Sequence, residues 1–212
     1  MAKEEKKPSK TNFHSNKRIL ETGATWLFLI GMRSNGKSYS VKRDLIEQYW
    51  KTKQKFIYLR RYDEDIKENF VTSYFDDMTI NKYGEREVYK ITGGKYIGVY
   101  AYHGGLYFYN FDDNDKIVRG EQIGRYGSLS NDVRFKSQVF TDYTDILYEE
   151  VIPNDARYLS EECERLEHFA STIFRLSPGR IWLIGNTLSR VSPYVTYFGL
   201  DKFNLMNFNF NQ

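Results

Sequence analysis

The stretch "IGMRSNGKSYSVK", Ile30–Lys42, decides the fold of this chain. It runs Gly31, four residues, Gly36, Lys37, Ser38, the spacing of a phosphate-binding P-loop. Its flanks agree. Trp26–Ile30 is an apolar run long enough for a buried strand, and Tyr39–Trp50 is amphipathic at helical spacing. Glycines at both ends let the backbone curl and turn its N–H groups around an anion. The helix start aims the positive end of its dipole at the same place. The pattern makes Gly31, Met32, Arg33, Ser34, Asn35, Gly36, Lys37, Ser38 and Tyr39 the nucleotide-binding segment. Lys37 reaches the β- and γ-phosphates, and the Ser38 hydroxyl ligates Mg²⁺. A glycine turn with a chance lysine would lack the strand before it and the helix after it.

Bulk properties bound the rest. A chain of 212 residues is one α/β domain with room for a real core. The net charge of +3 sits in the leader: residues 1–18 hold six Lys/Arg against two Glu, leaving −1 elsewhere. That leader reads as a solvated, flexible tail rather than a nucleic-acid arm, with the P-loop domain spanning 19–212. The single Cys163 excludes an internal disulfide and fits a reducing compartment. Glu161, Glu162 and Glu164 beside it should raise its pKa, the wrong direction for a nucleophile. His14, His103 and His168 show no zinc-ligand spacing. No apolar run reaches membrane-spanning length, so no membrane partner is expected.

Further apolar runs lay out the strands. "KFIYLRR" (Lys55–Arg61), a shorter one near "IGRYGSLS", "DILYEE" (Asp145–Glu150) and "GRIWLIGN" (Gly179–Asn186) follow the first. "SEECERLEHFASTIFR" (Ser160–Arg175) reads as a helix opening on a capping-box-like Ser160. Alternating strands and helices imply a mainly parallel central sheet flanked by helices, with ligands at the strands' carboxyl ends. "EVYKITGGKYIGVYAYHGGLYFYNFDD" reads as two or three short antiparallel strands between Gly-Gly turns. Its tyrosines fit a β-hairpin insertion packed on one face better than a base-stacking platform.

The paired acids ending "DILYEE" carry the second chemical signal. Beside a P-loop, Glu149 holds the metal and Glu150 polarises the attacking water, or the pair is a solvated strand exit. Glu149 stands where Asp is usual. Asn186, at the tip of "IWLIGN", fits a γ-phosphate sensor, or an ordinary turn. Arg175 ends the long helix, either as a cation at its C-terminus or as an arginine finger.

In order and spacing these pieces resemble the genome-packaging ATPases of small tailed phages of the phi29 type, within the additional-strand (ASCE) class of P-loop motors. The features are "FLIGMRSNGKSYSVK", "KFIYLRRYDEDI", "SLSNDVRFKSQVF" leading into "TDILYEEVIP", "TIFR", and "IWLIGNTLSRVSPYVTYFGL". The resemblance implies an ATP-hydrolysing motor domain that uses ATP and Mg²⁺. It would drive double-stranded DNA into a capsid as part of a homopentameric ring, docked at the portal through a structural RNA, in the host cytoplasm. It further implies Glu149 as the Walker B acid, Glu150 as the water activator, Asn186 as the sensor, and Arg175 and Lys136 acting across subunits. Arg33 falls where the family often carries an arginine. The family's nuclease-like second domain is not visible, so an isolated motor domain is expected. Loop lysines Lys82, Lys95 and Lys116 are candidate DNA contacts.

Three rivals share the P-loop. A nucleoside or nucleotide kinase must keep water from the γ-phosphate, which the paired acids oppose. A GTPase needs an Asn-Lys-x-Asp base reader, and "NKYG" (Asn81–Gly84) ends in Gly. A slow nucleotide-gated DNA clamp shares every site residue with the motor.

Overall fold

The computed structural model describes residues 15–81, 84–136, 138–175, 177–186 and 192–200. The chain enters through a one-turn helix α1 (Lys17–Leu20), strand β1 (Trp26–Ile30), helix α2 (Lys37–Thr52) and strand β2 (Lys55–Arg60). Short helices α3 (Glu68–Tyr74), α4 (Asp76–Thr79) and α5 (Glu87–Ile91) lead to β3 (Gly98–Tyr102), β4 (Gly105–Phe111) and β5 (Ile117–Ser128). The last part is α6 (Val133–Lys136), β6 (Tyr143–Glu149), α7 (Glu162–Ile173), β7 (Arg180–Gly185) and α8 (Pro193–Tyr197).

The strands form one seven-stranded sheet, ordered β1-β7-β6-β2-β5-β4-β3. The pairs from β1 to β5 are parallel, and β4 and β3 add an antiparallel edge. The fold is therefore mixed α/β, with helices on both faces. Alternation along β2 shows how one strand serves two layers. Phe56 and Tyr58 join Leu45, Ile46, Phe75 and Phe108 on the α2–α5 face. Ile57 and Leu59 join Leu166, Phe169 and Ile173 under α7. Among the described residues no helix is long and apolar enough to cross a membrane.

The core strands lie where the apolar runs place them, while the expected short strand near "IGRYGSLS" extends to twelve residues. Three expectations need correcting. Glu87–Ile91 is a helix, not a strand. Gly93 and Gly94, at φ 62° and 88°, close that helix instead of joining two strands, and the Gly94 N–H donates to Tyr89 O at 2.8 Å. Ser160 caps nothing: Glu161 holds the N-cap position at φ 52°, and the Glu162 carboxylate takes the Leu159 N–H at 2.8 Å. The described residues begin inside the stretch expected to be a tail. Asn16 is buried and α1 starts at Lys17, while residues 1–14 and Lys82 lie outside the described residues.

Candidate active site

The carboxyl ends of β1, β6 and β7 meet in one cleft of about 430 Å³. Its walls are the 33–39 segment, Glu149 at the end of β6 with Glu150 after it, and Ile184 and Gly185 at the end of β7 with Asn186 after them. The structure thus brings together Arg33, Ser34, Asn35, Gly36, Lys37, Ser38, Tyr39, Glu149, Glu150 and Asn186. Gly31 leads into the loop, with its N–H bonded to Gly185 O at 3.2 Å. Met32 projects outward, exposed. Larger hollows exist: one of about 670 Å³ near Arg125 and Arg134 holds none of the 31–39 segment, and one of about 480 Å³ shares only Tyr39 with it.

The loop curls as its glycines allow. Ser34 and Gly36 take positive φ, 63° and 82°, the left-handed region that glycine enters without strain. Lys37 Nζ folds back onto Gly31 O at 2.9 Å, Met32 O at 2.8 Å and Asn35 Oδ1 at 3.0 Å. Burial lowers its pKa, and the Glu149 charge partly opposes that. The ammonium therefore stands inside the ring of backbone atoms, where an anion would recruit it. Arg33 reaches across to Asn154 Oδ1 at 3.1 Å.

The two acids have different surroundings. Glu149 is 7% exposed and accepts the Tyr74 hydroxyl at 2.5 Å. Tyr74 is stacked on Tyr58 with centroids 4.5 Å apart. Burial and the Glu149 charge push the Tyr74 pKa far up, so it stays a donor. Lys42 backs the same assembly, bonded to Tyr74 O at 2.5 Å and Asp77 Oδ1 at 2.6 Å. Glu150, at φ 57°, is half exposed and ion-paired with Arg60 Nη2 at 2.6 Å. Neither Arg60 nor Tyr74 was singled out from the sequence. Arg60 ends the strand beside β6, and the charged "RR" after an apolar run was the available signal.

The Ser38 hydroxyl and Glu149 carboxylate are hard oxygen donors on one cleft, a set that suits Mg²⁺ carried in with phosphates. Among the described residues no three His, Cys, Asp or Glu side chains converge on a metal-sized site, and a phosphate-borne Mg²⁺ does not need such a cage. Arg175 and Lys136 do not line the cleft. Arg175 is exposed just past α7. Lys136 lies at the end of the short helix α6, paired with Asp132 at 3.1 Å. Lys95 is paired with Glu121 at 2.8 Å. Cys163 is buried, and its pKa is pushed to about 12 by burial first, then by Glu162, Glu164 and Glu167.

Comparison with known proteins finds relatives of this chain. A curated DNA packaging protein of Bacillus phage B103 is 28% identical over 176 residues, covering 82% of this chain and 47% of the relative. That of Bacillus phage phi29 is 24% identical over 201 residues, covering 90% of this chain and 51% of the relative. The chain thus spans about half the length of these relatives. The crystal structure of the N-terminal domain of the phi29 DNA packaging ATPase superposes with a TM-score of 0.68. Its sequence is 25% identical, and the match covers 89% of this chain and 86% of that one. The phi29 genome packaging motor assembly gives a TM-score of 0.63 at 22% identity, covering 88% of this chain and 51% of that one. The Podovirus DNA encapsidation protein (Gp16) family matches residues 9–211, and the chain belongs to that family.

Proposed function

We propose that this chain is an ATPase motor domain that moves double-stranded DNA into a capsid as one subunit of a homomeric ring. The observation that carries the reading is the shared cleft: a glycine loop with its lysine after β1, facing two acids at the carboxyl end of β6. Strand β7 lies between β1 and β6, the arrangement expected of an ASCE-class P-loop ATPase. Family membership supports the cargo and, by extension, a ring at the portal with a structural RNA, in the host cytoplasm.

In this scheme the Gly31–Ser38 backbone holds the β-phosphate, and Lys37 leaves Gly31 O and Met32 O for the β/γ oxygens. Ser38 and Glu149 hold Mg²⁺, which when bound offsets charge on the phosphates. Glu150 takes the proton of the attacking water, and ATP and water become ADP and phosphate. Asn186 positions that water. Before it acts, Glu150 must exchange its Arg60 partner, so a lone subunit turns over slowly. Arg175, and with it Lys136, faces the cleft of a neighbouring subunit, where a cation offsets charge on the transferring phosphoryl group. The exposure of both residues, and their absence from the lining of their own cleft, support a role in trans.

A mixing experiment tests this. Glu150→Ala and Arg175→Ala proteins should each be nearly inactive in ATP hydrolysis at high concentration. Mixed at random, roughly a quarter of ring interfaces would pair an intact Glu150 with an intact neighbouring Arg175, and turnover should return. No recovery beside an active wild type would sink the shared site and favour the clamp or kinase readings.

A further inference from the structure

The antiparallel edge of the sheet packs by one face. Val99, Ala101, Leu106 and Phe108 of β3 and β4 lie in the core with α2. The residues between them, Tyr100, Tyr102, Tyr107 and Tyr109, point to the other side. None of these four rings joins either core cluster, and Tyr102 is 41% exposed. The tyrosines thus stand on the face that the hairpin leaves open, not on the face it packs.

Strand pairing sets them in rows. Tyr100 is opposite Tyr107, Tyr109 is opposite Arg119 of β5, and Gly105 stands between Tyr102 and Arg125. The Tyr100 ring centroid lies 6.1 Å from that of Tyr107, 6.4 Å from Tyr102 and 5.8 Å from Tyr109. Gly105 lets the Tyr107 ring lie down on the sheet, because a Cβ there would come within 2.5 Å of it.

Both charged side chains in these rows are cations. The Arg119 guanidinium stands 5.0 Å from the Tyr102 ring and 5.1 Å from the Tyr107 ring. Arg125 donates to Gln138 Oε1. Among the described residues neither arginine has an ion pair. Glu121 of β5 is turned to the packed side, held by Lys53 at 2.6 Å and Lys95 at 2.8 Å. At the margin, the Glu68 carboxylate accepts the His103 N–H at 2.6 Å.

We infer that this open face is a stacking platform for single-stranded DNA. Every base has a π-face for a tyrosine to take, and arginine adds a cation–π contact. The two arginines match the charge of the phosphates. A duplex keeps its base faces inside the stack, so it cannot use the rings. The inference goes beyond the duplex cargo proposed above and makes no use of the phosphate cleft. The choice of DNA rests on membership of a DNA encapsidation family.

Fluorescence anisotropy of the full chain with a labelled oligothymidylate of about 12 nucleotides tests the platform. Wild type should bind that strand at least about fivefold more tightly than a duplex of the same length at the same salt, and at least as tightly as an oligouridylate. Tyr102→Ala combined with Tyr107→Ala should lose at least about tenfold for the strand and keep its duplex affinity, while Tyr107→Phe should bind like wild type. Arg119→Gln combined with Arg125→Gln should make the slope of log affinity against log salt shallower by about 1.4, two phosphates' worth. Irradiated with wild type, a bromodeoxyuridine strand should crosslink within residues 100–109. Equal affinity for strand and duplex overturns the proposal, and tighter binding of the oligouridylate gives the face a different partner. A folded double-alanine protein that binds like wild type, or an unchanged salt slope, also overturns it. If the alanine protein does not fold, the crosslinks decide, and crosslinks confined to other segments sink the platform.

Discussion

Tyr74 sets the orientation of Glu149, since its hydroxyl bonds that buried carboxylate at 2.5 Å. Groups behind a metal-holding ligand typically contribute 10–100-fold to affinity or activity. Tyr74→Phe should therefore raise the Mg²⁺ concentration for half-maximal ATP hydrolysis at least about tenfold, with the fold intact. An unchanged Mg²⁺ titration would remove Tyr74 from the site. Cys163 gives a pH-linked test. With its pKa at about 12, the native thiol stays protonated through pH 9 and should resist iodoacetamide until the chain is denatured. The raised pKa stabilises the fold fully below the ordinary thiol range, and that contribution fades as pH climbs toward 12. Rapid labelling of native protein at pH 8 would contradict the burial. Glu149 and Glu150 were legible in the sequence because they follow an apolar run. Tyr74 was not, because its partner lies 75 positions away and only the packing of α3 over β2 brings them together.

At the scale of elements, legibility followed periodicity. β1 was readable to the residue, and β2, β6 and β7 nearly so, because strands buried on both faces are continuous apolar runs. α5 is not legible in its own sequence, because "EVYKI" has aromatic and β-branched residues that suit a strand equally well. Its helical state comes from tertiary context: Val88 is fully buried and Glu87 pairs with Arg43 of α2. The β2–β5 pairing rests on a close approach that the sequence does not announce. A Cβ on Gly124 would lie well inside contact distance of the Phe56 carbonyl oxygen, which is backbone and cannot turn aside. Gly124→Ala should cost about 1–3 kcal/mol, read as a lower urea midpoint with an unchanged slope. A midpoint equal to wild type would mean the two strands have room to part.

Across the whole molecule, one buried ion pair ties the sheet to the α7 layer. Arg61 bonds Glu162 twice, at 2.7 and 2.8 Å. Glu162 also takes the hydroxyls of Tyr148 at 2.8 Å and Tyr194 at 2.7 Å. Arg61→Met would strand a buried carboxylate, costing about 3–5 kcal/mol and lowering Tm by roughly 10 °C. Replacing both residues by Met should restore most of that loss. If the single variant melts like wild type, the pair is not what joins the layers.

The same guanidinium also bonds Glu150 O at 3.0 Å and Val151 O at 3.2 Å. Mechanically, the backbone at the proposed water-activating acid is bolted to the root of a twelve-residue rod, about 18 Å long, with Arg175 just past its free end. A small tilt of the strand tip should therefore be magnified at Arg175, as a lever magnifies a rotation at its far end. The doubly substituted Met protein keeps the layers packed but unfastens that pivot. Its subunits should still bind nucleotide, while a spin label near position 175 should no longer shift when they do. A label that shifts as far as in wild type would show that the rod is moved from elsewhere.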